Sequence, residues 1–256
     1  MPRPPLPHIS GQRCAWFLDV DGTLLEIEAR PDRVTADVQL LRLLEDLAGI
    51  SGGAVALVSG RSLDQLDRIF KRYRLPAAAS HGVERRLPDG TVENTATEVP
   101  PGSLARITAF AAQHPGLLVE RKPFSVGLHY RARPELEDIV LEAMEKIHAE
   151  LDNDARLMRG KMVVEILPAV ASKGSAIRSF MQTVPFEGRL PVFAGDDVTD
   201  EYGFDVVNEL GGMSIRIGDA AGSAAKWQLR NVADLRAWLQ SAVDAGLQAR
   251  SGDDTS

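Results

Sequence analysis

Cys14-Ala-Trp-Phe-Leu-Asp-Val-Asp-Gly-Thr-Leu-Leu25 is a short apolar run that ends abruptly in two aspartates spaced by one residue. A run of this length, bounded by turn residues, is typical of a buried strand. We therefore predict a strand over 15–18, with Asp19 and Asp21 at its carboxyl end. In open α/β sheets, that edge is where ligands bind.

The two aspartates create an electrostatic problem at this edge. Two carboxylates so close together repel each other unless a cation or a shared proton lies between them, and a hard divalent metal ion would relieve the repulsion. The same residues also have a purely structural interpretation, because Asp-Gly is a common turn and aspartate commonly caps helices. This segment alone leaves both interpretations open.

Strand and helix patterns alternate through the first eighty residues. Leucines at positions 40, 43, 44 and 47 have helical spacing, in an element that we predict to begin near Thr35. Apolar runs over 54–58 and 75–79 predict two more strands, and Ser62 with Gln65 predicts a capping box that opens the helix between them. Such alternation indicates βαβ units around a parallel sheet.

The alternation returns after residue 171. Ser172 is a good N-cap for a helix, strands are predicted over 191–194 and 213–217, and a terminal amphipathic helix is predicted over 232–243. The predicted fold class is therefore α/β, with a Rossmann-like parallel sheet and helices on both sides.

Residues 99–171 have a different pattern. A helix fits 102–113, strands fit 117–121 and 125–130, a second helix runs from Pro134 to about 151, and strands fit 155–158 and 162–166. This αββαββ order predicts a small antiparallel sheet backed by two helices. We predict a core domain over 1–98 and 172–256, with an α+β cap domain inserted over 99–171.

Composition limits the partners. The chain has 256 residues and a net charge of −7, which argues against nucleic acid and anionic membranes. Its single cysteine, Cys14, excludes an internal disulfide framework. The Pro-rich start lacks the apolar segment of a signal peptide, and no stretch reaches the length of a membrane span. We expect a cytoplasmic protein with flexible ends over 1–12 and 246–256.

Four polar groups follow predicted strands or open a predicted helix, and strand ends in a parallel sheet share one edge. They are Asp19 with Asp21, Ser59, Lys173, and Asp196 with Asp197 and Asp200. Carboxylates suit Mg²⁺, and a lysine with a hydroxyl suits phosphoryl oxygens. Each group alone has a structural alternative as a turn, a helix cap or a solvated lysine. Together and in this order, they favour a phosphate-handling site.

The chain resembles the haloacid dehalogenase (HAD) superfamily at four motifs, in the correct order. They are Asp19-Val-Asp21-Gly22-Thr23, Ser59, Lys173 and Gly195-Asp196-Asp197. Three longer pieces, over 58–61, 160–166 and 195–201, resemble trehalose-6-phosphate phosphatases within that superfamily. The resemblance implies a Rossmann-like HAD core with a mobile αββαββ cap.

The resemblance and the chemistry of the groups imply roles for the core residues. Asp19 is the expected nucleophile, and Asp21 the acid/base group. Ser59 and Lys173 are expected to hold the phosphoryl oxygens. The expected Mg²⁺ site comprises the Asp19 carboxylate, the Asp21 backbone carbonyl and Asp196, with Asp200 orienting a metal-bound water.

Substrate-binding residues are expected on the cap and on the core loops. Strand residues at i, i+2 and i+4 share a face, so Lys161 and Glu165 point the same way if their segment is extended. Charged faces of sheets are usually solvated, but the resemblance favours contact with sugar hydroxyls. The expected set is Arg61, His81, Gly82, Glu120, Lys122, His129, Lys161 and Glu165. For His81, a loop residue without a role is an equal alternative.

The expected function is Mg²⁺-dependent hydrolysis of trehalose 6-phosphate through an aspartyl-phosphate, in trehalose biosynthesis. The nearest alternatives are another HAD sugar-phosphate phosphatase, of sucrose-phosphate or mannosyl-phosphoglycerate type, or a phosphomannomutase. A non-catalytic regulatory domain is a different class, which the intact motifs disfavour. The expected partner is the sugar phosphate, with functional pairing to a separate trehalose-phosphate synthase.

Overall fold

The computed structural model describes residues 1–6, 13–28, 33–71, 73–95, 101–151, 155–219 and 221–253. Within them, the strands are β1 (Cys14–Leu18), β2 (Val55–Val58), β3 (Ala77–Ala79), β4 (Glu84–Arg86), β5 (Val92–Asn94), β6 (Leu118–Arg121), β7 (Val126–His129), β8 (Ala155–Gly160), β9 (Val163–Pro168), β10 (Leu190–Gly195), β11 (Met213–Ile217) and β12 (Trp227–Leu229). The helices are α1 (Val38–Ile50), α2 (Leu63–Phe70), α3 (Pro101–Ala112), α4 (Glu137–Ala149), α5 (Lys173–Phe180), α6 (Glu201–Glu209) and α7 (Val232–Asp253).

The larger sheet has the strand order β12-β11-β10-β1-β2-β3-β4-β5. Strands β12 to β3 in this order pair in parallel, and β4 and β5 add an antiparallel edge. β1 lies between β10 and β2, so the segment that carries Asp19 is central and all five of its residues are buried. The predicted α/β class with a parallel sheet is confirmed.

Helices cover both faces of this sheet. The side chains of β1 point alternately to the two faces and show what covers each one. Trp16 packs edge-on against Trp238 of α7, with ring centroids 5.8 Å apart, in an apolar cluster that includes α1 and α2. Phe17 faces the other way and stacks on Phe186 at 5.4 Å, beside the helices α5 and α6. Both apolar faces are therefore buried, as a parallel sheet requires.

A second sheet of four antiparallel strands has the order β6-β7-β9-β8. One of its faces packs on α3 and α4, where Ile107, Val140 and Met144 are buried with Leu128 and Val164. The strand-to-strand register aligns Glu120 with Gly127 and Gly127 with Glu165, in one row across the sheet. The predicted αββαββ element order is present, whereas the domain limits at 98/99 and 171/172 stay a prediction.

The ends of the chain differ from the expected tails. α7 continues to Asp253, and Gly246 lies so close to α1 that an added Cβ would be 2.9 Å from the Ile50 side chain. At the other end, the Pro2 carbonyl accepts a hydrogen bond from the Gln228 backbone NH at 3.0 Å. The expectation of flexible ends is thus wrong for the helical residues 246–253 and stays a prediction for 1–6, which have no regular secondary structure. The remaining residues, 7–12 and 254–256, lie outside the described ones.

In the part of the chain that the structure describes, we find no helix that combines the length and apolar character needed to cross a lipid bilayer.

Candidate active site

The carboxyl ends of β1, β2 and β10 meet the amino end of α5 at one edge of the larger sheet. A cavity lies there, and the smaller sheet covers it. Its walls carry Asp19, Asp21, Ser59, Gly60, Arg61, His81, Lys173, Asp196, Asp197 and Thr199 from the core, with Glu120, Lys122, His129, Arg131, Met158, Gly160, Lys161, Val163 and Glu165 facing them. The sequence-predicted core groups, except the fully buried Asp200, therefore share one cavity with most of the predicted substrate residues.

Lys173 connects two buried aspartates at the floor of the cavity. Its Nζ donates to Asp19 Oδ1 at 2.8 Å and to Asp200 Oδ1 at 2.7 Å. Burial raises the pKa of Asp19 well above its ordinary value, opposed by the nearby Lys173 cation. Burial alone would lower the pKa of Lys173, but the two carboxylates outweigh it and raise the pKa. Lys173 is therefore a fixed cation beside the candidate nucleophile.

Three carboxylates converge at this point and fit a divalent cation. One ligand oxygen each of Asp19, Asp196 and Asp200 lies within 4.8 Å of the others. Burial, reinforced by the Asp200 charge, raises the pKa of Asp196 to about 7. Asp196 Oδ1 is buried without a hydrogen-bond partner among the described residues. An unpaired buried carboxylate oxygen among like charges is what a bound cation would satisfy.

Asp200 differs from Asp196 in that both of its carboxylate oxygens have hydrogen-bond donors. Its Oδ2 accepts hydrogen bonds from the backbone NH groups of Asp196 and Asp197, at 3.0 and 2.9 Å, and Lys173 holds the other oxygen. Since both oxygens already have donors, Asp200 shapes the loop that carries Asp196. Asp197 caps the short helical turn that follows, which is one of the structural alternatives that the sequence left open for this group.

Arg61 and Asp21 form a two-point ion pair above the floor. Arg61 Nε donates to Asp21 Oδ2 and Nη2 donates to Oδ1, both at 2.6 Å. Ser59 Oγ accepts from the Arg61 backbone NH at 3.2 Å. This bidentate geometry fixes the orientation of the Asp21 carboxyl group. The sequence placed Arg61 near the substrate but gave no sign of its pairing with Asp21.

Glu165 on the cap side has a polar partner at each of its two carboxylate oxygens. Lys122 Nζ donates to Glu165 Oε1 at 2.9 Å, Ser125 Oγ donates to the same oxygen, and His81 Nε2 lies 3.3 Å from Oε2. Burial alone would raise the pKa of Glu165, but Lys122 and these hydrogen bonds hold it well below its usual range. Glu165 is therefore a buried, fully ionised carboxylate that faces the cavity.

Glu120 forms a second held carboxylate on the same face. Its oxygens pair with His129 Nε2 and Gln65 Nε2, each at 2.9 Å. Gln65 also closes the capping box of α2 with Ser62, as predicted, so its side chain connects the core to the cap. The contact between Gln65 and Glu120 was not foreseen, because no sequence pattern links residues of separate elements.

Lys161 is not on an extended strand with Glu165. It lies exposed in the turn between β8 and β9, where Met162 has a φ of +62°, so the strand begins one residue later than predicted. The alternation argument therefore fails for Lys161, although both residues line the cavity. Arg131 was missed as a site residue: it also lines the cavity and donates to the Glu28 and Lys161 carbonyls, at 2.8 and 3.4 Å.

Gly82 does not line the cavity. Its φ is +95°, and an added Cβ would be 2.7 Å from the Ser172 carbonyl oxygen. This glycine therefore allows the loop after β3 to approach the start of α5, instead of contacting substrate. His81, the preceding residue, does reach the cavity, and its Nδ1 is buried without a partner among the described residues.

Comparisons with known proteins identify the family of the chain. A family model described as trehalose-phosphatase matches residues 17–233. Trehalose-6-phosphate phosphatase of Escherichia coli (strain K12) is 44% identical over 249 residues, covering 95% of this chain and 91% of that protein.

Solved structures show the same fold. The C-terminal domain of a trehalose-6-phosphate phosphatase from C. albicans aligns with a TM-score of 0.85 at 21% identity, covering 95% of this chain and 98% of that one. A Bacteroides thetaiotaomicron phosphatase of the haloalkanoate (HAD) superfamily aligns with a TM-score of 0.59 at 16% identity, covering 94% and 97%. At these identities, the two structures bear on the fold alone.

Proposed function

This chain belongs to the trehalose-phosphatase family, and on that premise we propose that it hydrolyses trehalose 6-phosphate to trehalose and phosphate, as a step of trehalose biosynthesis. It is a phosphoric monoester hydrolase of the HAD superfamily. The observation that carries the proposal is the placement of Asp19. Its carboxylate lies at the end of a central buried strand, 2.8 Å from the Lys173 ammonium, in a cavity roofed by paired charges.

Two proposed steps transfer the phosphoryl group. Asp19 attacks phosphorus, the bond from phosphorus to the sugar oxygen breaks, and Asp21 gives its proton to that oxygen. Asp21 then takes a proton from water, which attacks phosphorus and releases phosphate from Asp19. The bidentate pair with Arg61 holds Asp21 as an ionised carboxylate, so Asp21 must leave this pair and take up a proton before it acts as the acid of the first step.

Lys173 and Ser59 serve the transferred group in this proposal. Lys173 is fixed between two carboxylates, and Ser59 is buried at the end of β2. A fixed ammonium and a hydroxyl stabilise charge that develops on phosphoryl oxygens. Groups that are already in position before the substrate binds need not rearrange during the reaction, so their stabilisation contributes to the rate.

The proposed metal ion is Mg²⁺. Asp19 and Asp196 would hold it with the Asp21 backbone carbonyl, and Asp200 would support the Asp196 loop. Once bound, the ion would offset the repulsion between the Asp19 carboxylate and the phosphate. The unpaired Asp196 Oδ1 supports this assignment, and oxygen-only ligands suit a hard cation.

The cap supplies the proposed sugar site. Glu120, Lys122, His129, Lys161 and Glu165 present both acceptors and donors to the cavity, which suits hydroxyl groups because they both donate and accept hydrogen bonds. The cap also lies over the cavity, so closure would exclude water during transfer. We therefore propose that these residues distinguish the disaccharide from simpler phosphate esters.

The setting of the reaction is likewise a proposal. We place the enzyme in the cytoplasm, paired in function with a separate trehalose-phosphate synthase. The support is chemical, since a glycosyl transfer to a sugar phosphate must supply the substrate. Co-expression with such a synthase should produce free trehalose, whereas accumulation of the phosphorylated disaccharide would contradict the pairing.

Phosphate release from a panel of sugar phosphates tests the proposed function. We expect fast release from trehalose 6-phosphate and slow release from glucose 6-phosphate and sucrose 6-phosphate. EDTA should abolish release, and excess Mg²⁺ should restore it. Equal rates on all three esters would contradict the assigned substrate, and isomerised phosphosugar without free phosphate would indicate a mutase.

A further inference from the structure

The loop after β3 is held in an unusual backbone conformation. Ser80, His81 and Gly82 have φ values of 48°, 56° and 95° in succession. Left-handed conformations are uncommon for residues other than glycine, and they persist only where the surrounding structure fixes them. Ser80 and His81 are two such residues in a row beside the cavity. Their backbone conformation indicates that the structure around the loop fixes the position of the His81 side chain.

The end of β2 makes room for the imidazole. Gly60 follows Ser59, and a Cβ added to Gly60 would lie 2.5 Å from both Cε1 and Nε2 of His81. Any larger residue at position 60 would therefore displace the ring. The ring is buried, with His81 only 6% exposed.

The ring reaches the cap at one carboxylate oxygen of Glu165. His81 Nε2 lies 3.3 Å from Glu165 Oε2, whereas Lys122 and Ser125 both donate to the other oxygen, Oε1. The cap thus provides donors for one oxygen of Glu165, and the core provides the donor for the other. A carboxylate only accepts, so Nε2 carries the proton in this contact.

We propose that His81 is a positioning residue: it docks the cap on the core through Glu165 and so fixes the sugar-reading face relative to Asp19. This inference rests on the proposed function for its substrate. The bond joins a core loop to the cap sheet, so it forms only when the cap covers the cavity. The Gln65 amide donates a second core-to-cap hydrogen bond, to Glu120. Glu120 lies in the same row of the cap sheet as Glu165, so both bonds hold that row against the core.

Two substitutions separate the hydrogen bond from the backbone conformation. Asparagine tolerates the left-handed region but is too short to reach Glu165, whereas glutamine places an amide NH near the position of Nε2 but fits the backbone less well. If His81 positions the cap, H81Q should retain more activity than H81N. If His81 only shapes its loop, the order should reverse.

The kinetic comparison uses trehalose 6-phosphate and p-nitrophenyl phosphate, a small ester that does not extend to the cap. For H81N, kcat/KM on trehalose 6-phosphate should fall about tenfold or more, the scale of one lost hydrogen bond to a charged group. On the small ester the loss should be several times smaller than on trehalose 6-phosphate. Equal losses on both substrates, with H81N at least as active as H81Q, would overturn the inference.

Amide hydrogen exchange of the ligand-free protein tests the docking without activity. The segment Val163–Pro168 carries Glu165 and should exchange faster in H81N than in the unsubstituted protein, with H81Q between them. Unchanged exchange in both variants would overturn the inference. Should the unsubstituted enzyme fail to hydrolyse trehalose 6-phosphate, the proposed function falls, and the exchange comparison alone decides whether His81 docks the cap.

Discussion

At the scale of single residues, Gly22 explains why the motif contains glycine between its aspartate and its threonine. Its φ is +79°, and an added Cβ would lie 2.0 Å from Asp196 Oδ2. The residue is needed both for its backbone conformation and for the space it leaves to the carboxylate. The turn after β1 and the loop after β10 can therefore approach each other only with glycine here.

Replacing Gly22 by alanine should displace Asp196 from the acidic cluster. We expect a loss of at least about a hundredfold in phosphate release, the usual cost of moving a catalytic group by an ångström. Gly90→Ala is the matched control, because Gly90 has a φ of +88° with no atom within 4 Å of an added Cβ.

Both substitutions force alanine into a left-handed backbone, so each should destabilise the fold by at least about 1 kcal/mol in urea unfolding, with the larger loss in Gly22→Ala because its Cβ also meets Asp196. Only Gly22→Ala should inactivate the enzyme. Similar activity in the two variants would contradict the close packing of Gly22 against Asp196.

At the scale of elements, the turn between β8 and β9 carries Lys161 into the cavity. Lys161 is exposed and lies outside the regular sheet, so its removal should leave the fold intact. Lys161→Ala should lower kcat/KM on trehalose 6-phosphate much more than on p-nitrophenyl phosphate. The matched control is Lys146→Ala on α4, whose side chain is 70% exposed. Parallel losses on both substrates would show that Lys161 does not read the sugar.

The cap sheet should respond to acid through Glu120. Burial alone would raise the pKa of Glu120, but the hydrogen bonds from His129 and Gln65 and the Lys122 charge lower it to about 2. A carboxyl group with a lowered pKa stabilises the fold above its unfolded-state pKa, near 4.5, and this stabilisation is lost as the pH falls toward 2.

The stability measurement compares urea unfolding at pH 5 and pH 3. The unsubstituted protein should lose stability over this range, by at most about 3 kcal/mol from Glu120, and Glu120→Gln should lose less. Glu142→Gln, on the exposed face of α4, should behave like the unsubstituted protein. An unchanged pH dependence in Glu120→Gln would show that this network does not stabilise the cap.

The elements that sequence patterns predicted are those with a strong apolar signal. β1 and β2 are continuous buried runs, and α1 repeats leucine at helical spacing. The missed strands, β4, β5 and β12, have three residues each and lie toward the sheet edges. Glu-Arg-Arg in β4 gives no apolar pattern, because its pairing depends on the neighbouring β3. Local sequence therefore predicts the centre of this fold better than its borders.

The site residues also divide into those that local sequence predicts and those that depend on contacts between distant elements. Asp19 and Lys173 were predictable, because each follows a recognisable strand or opens a recognisable helix at one sheet edge. The pairs Arg61 with Asp21 and His81 with Glu165 were not, since each joins elements that are distant in the chain. The resemblance predicted that Lys161 contributes to the site. The strand alternation offered as its geometric reason was wrong, because a turn places Lys161 in the cavity.

At the scale of the whole molecule, one cavity brings charges of both signs together. The chain carries a net charge of −7, yet Arg61, Lys122, Lys161 and Lys173 all line one cavity. An anionic substrate therefore finds these cations where the two sheets face each other, beside the carboxylates of the same cavity. The core places Asp19, the proposed nucleophile, and the cap places groups suited to a sugar, so neither sheet alone forms the proposed site.

The central claim is that Asp19 accepts the phosphoryl group of the sugar phosphate, and acid quenching during turnover tests it most directly. With trehalose 6-phosphate labelled at phosphorus, the quenched protein should carry label on the peptide containing Asp19. Asp19→Asn should carry none and should release no phosphate, while unfolding at a similar urea concentration. Label on another residue, or substantial phosphate release by Asp19→Asn, would contradict the account.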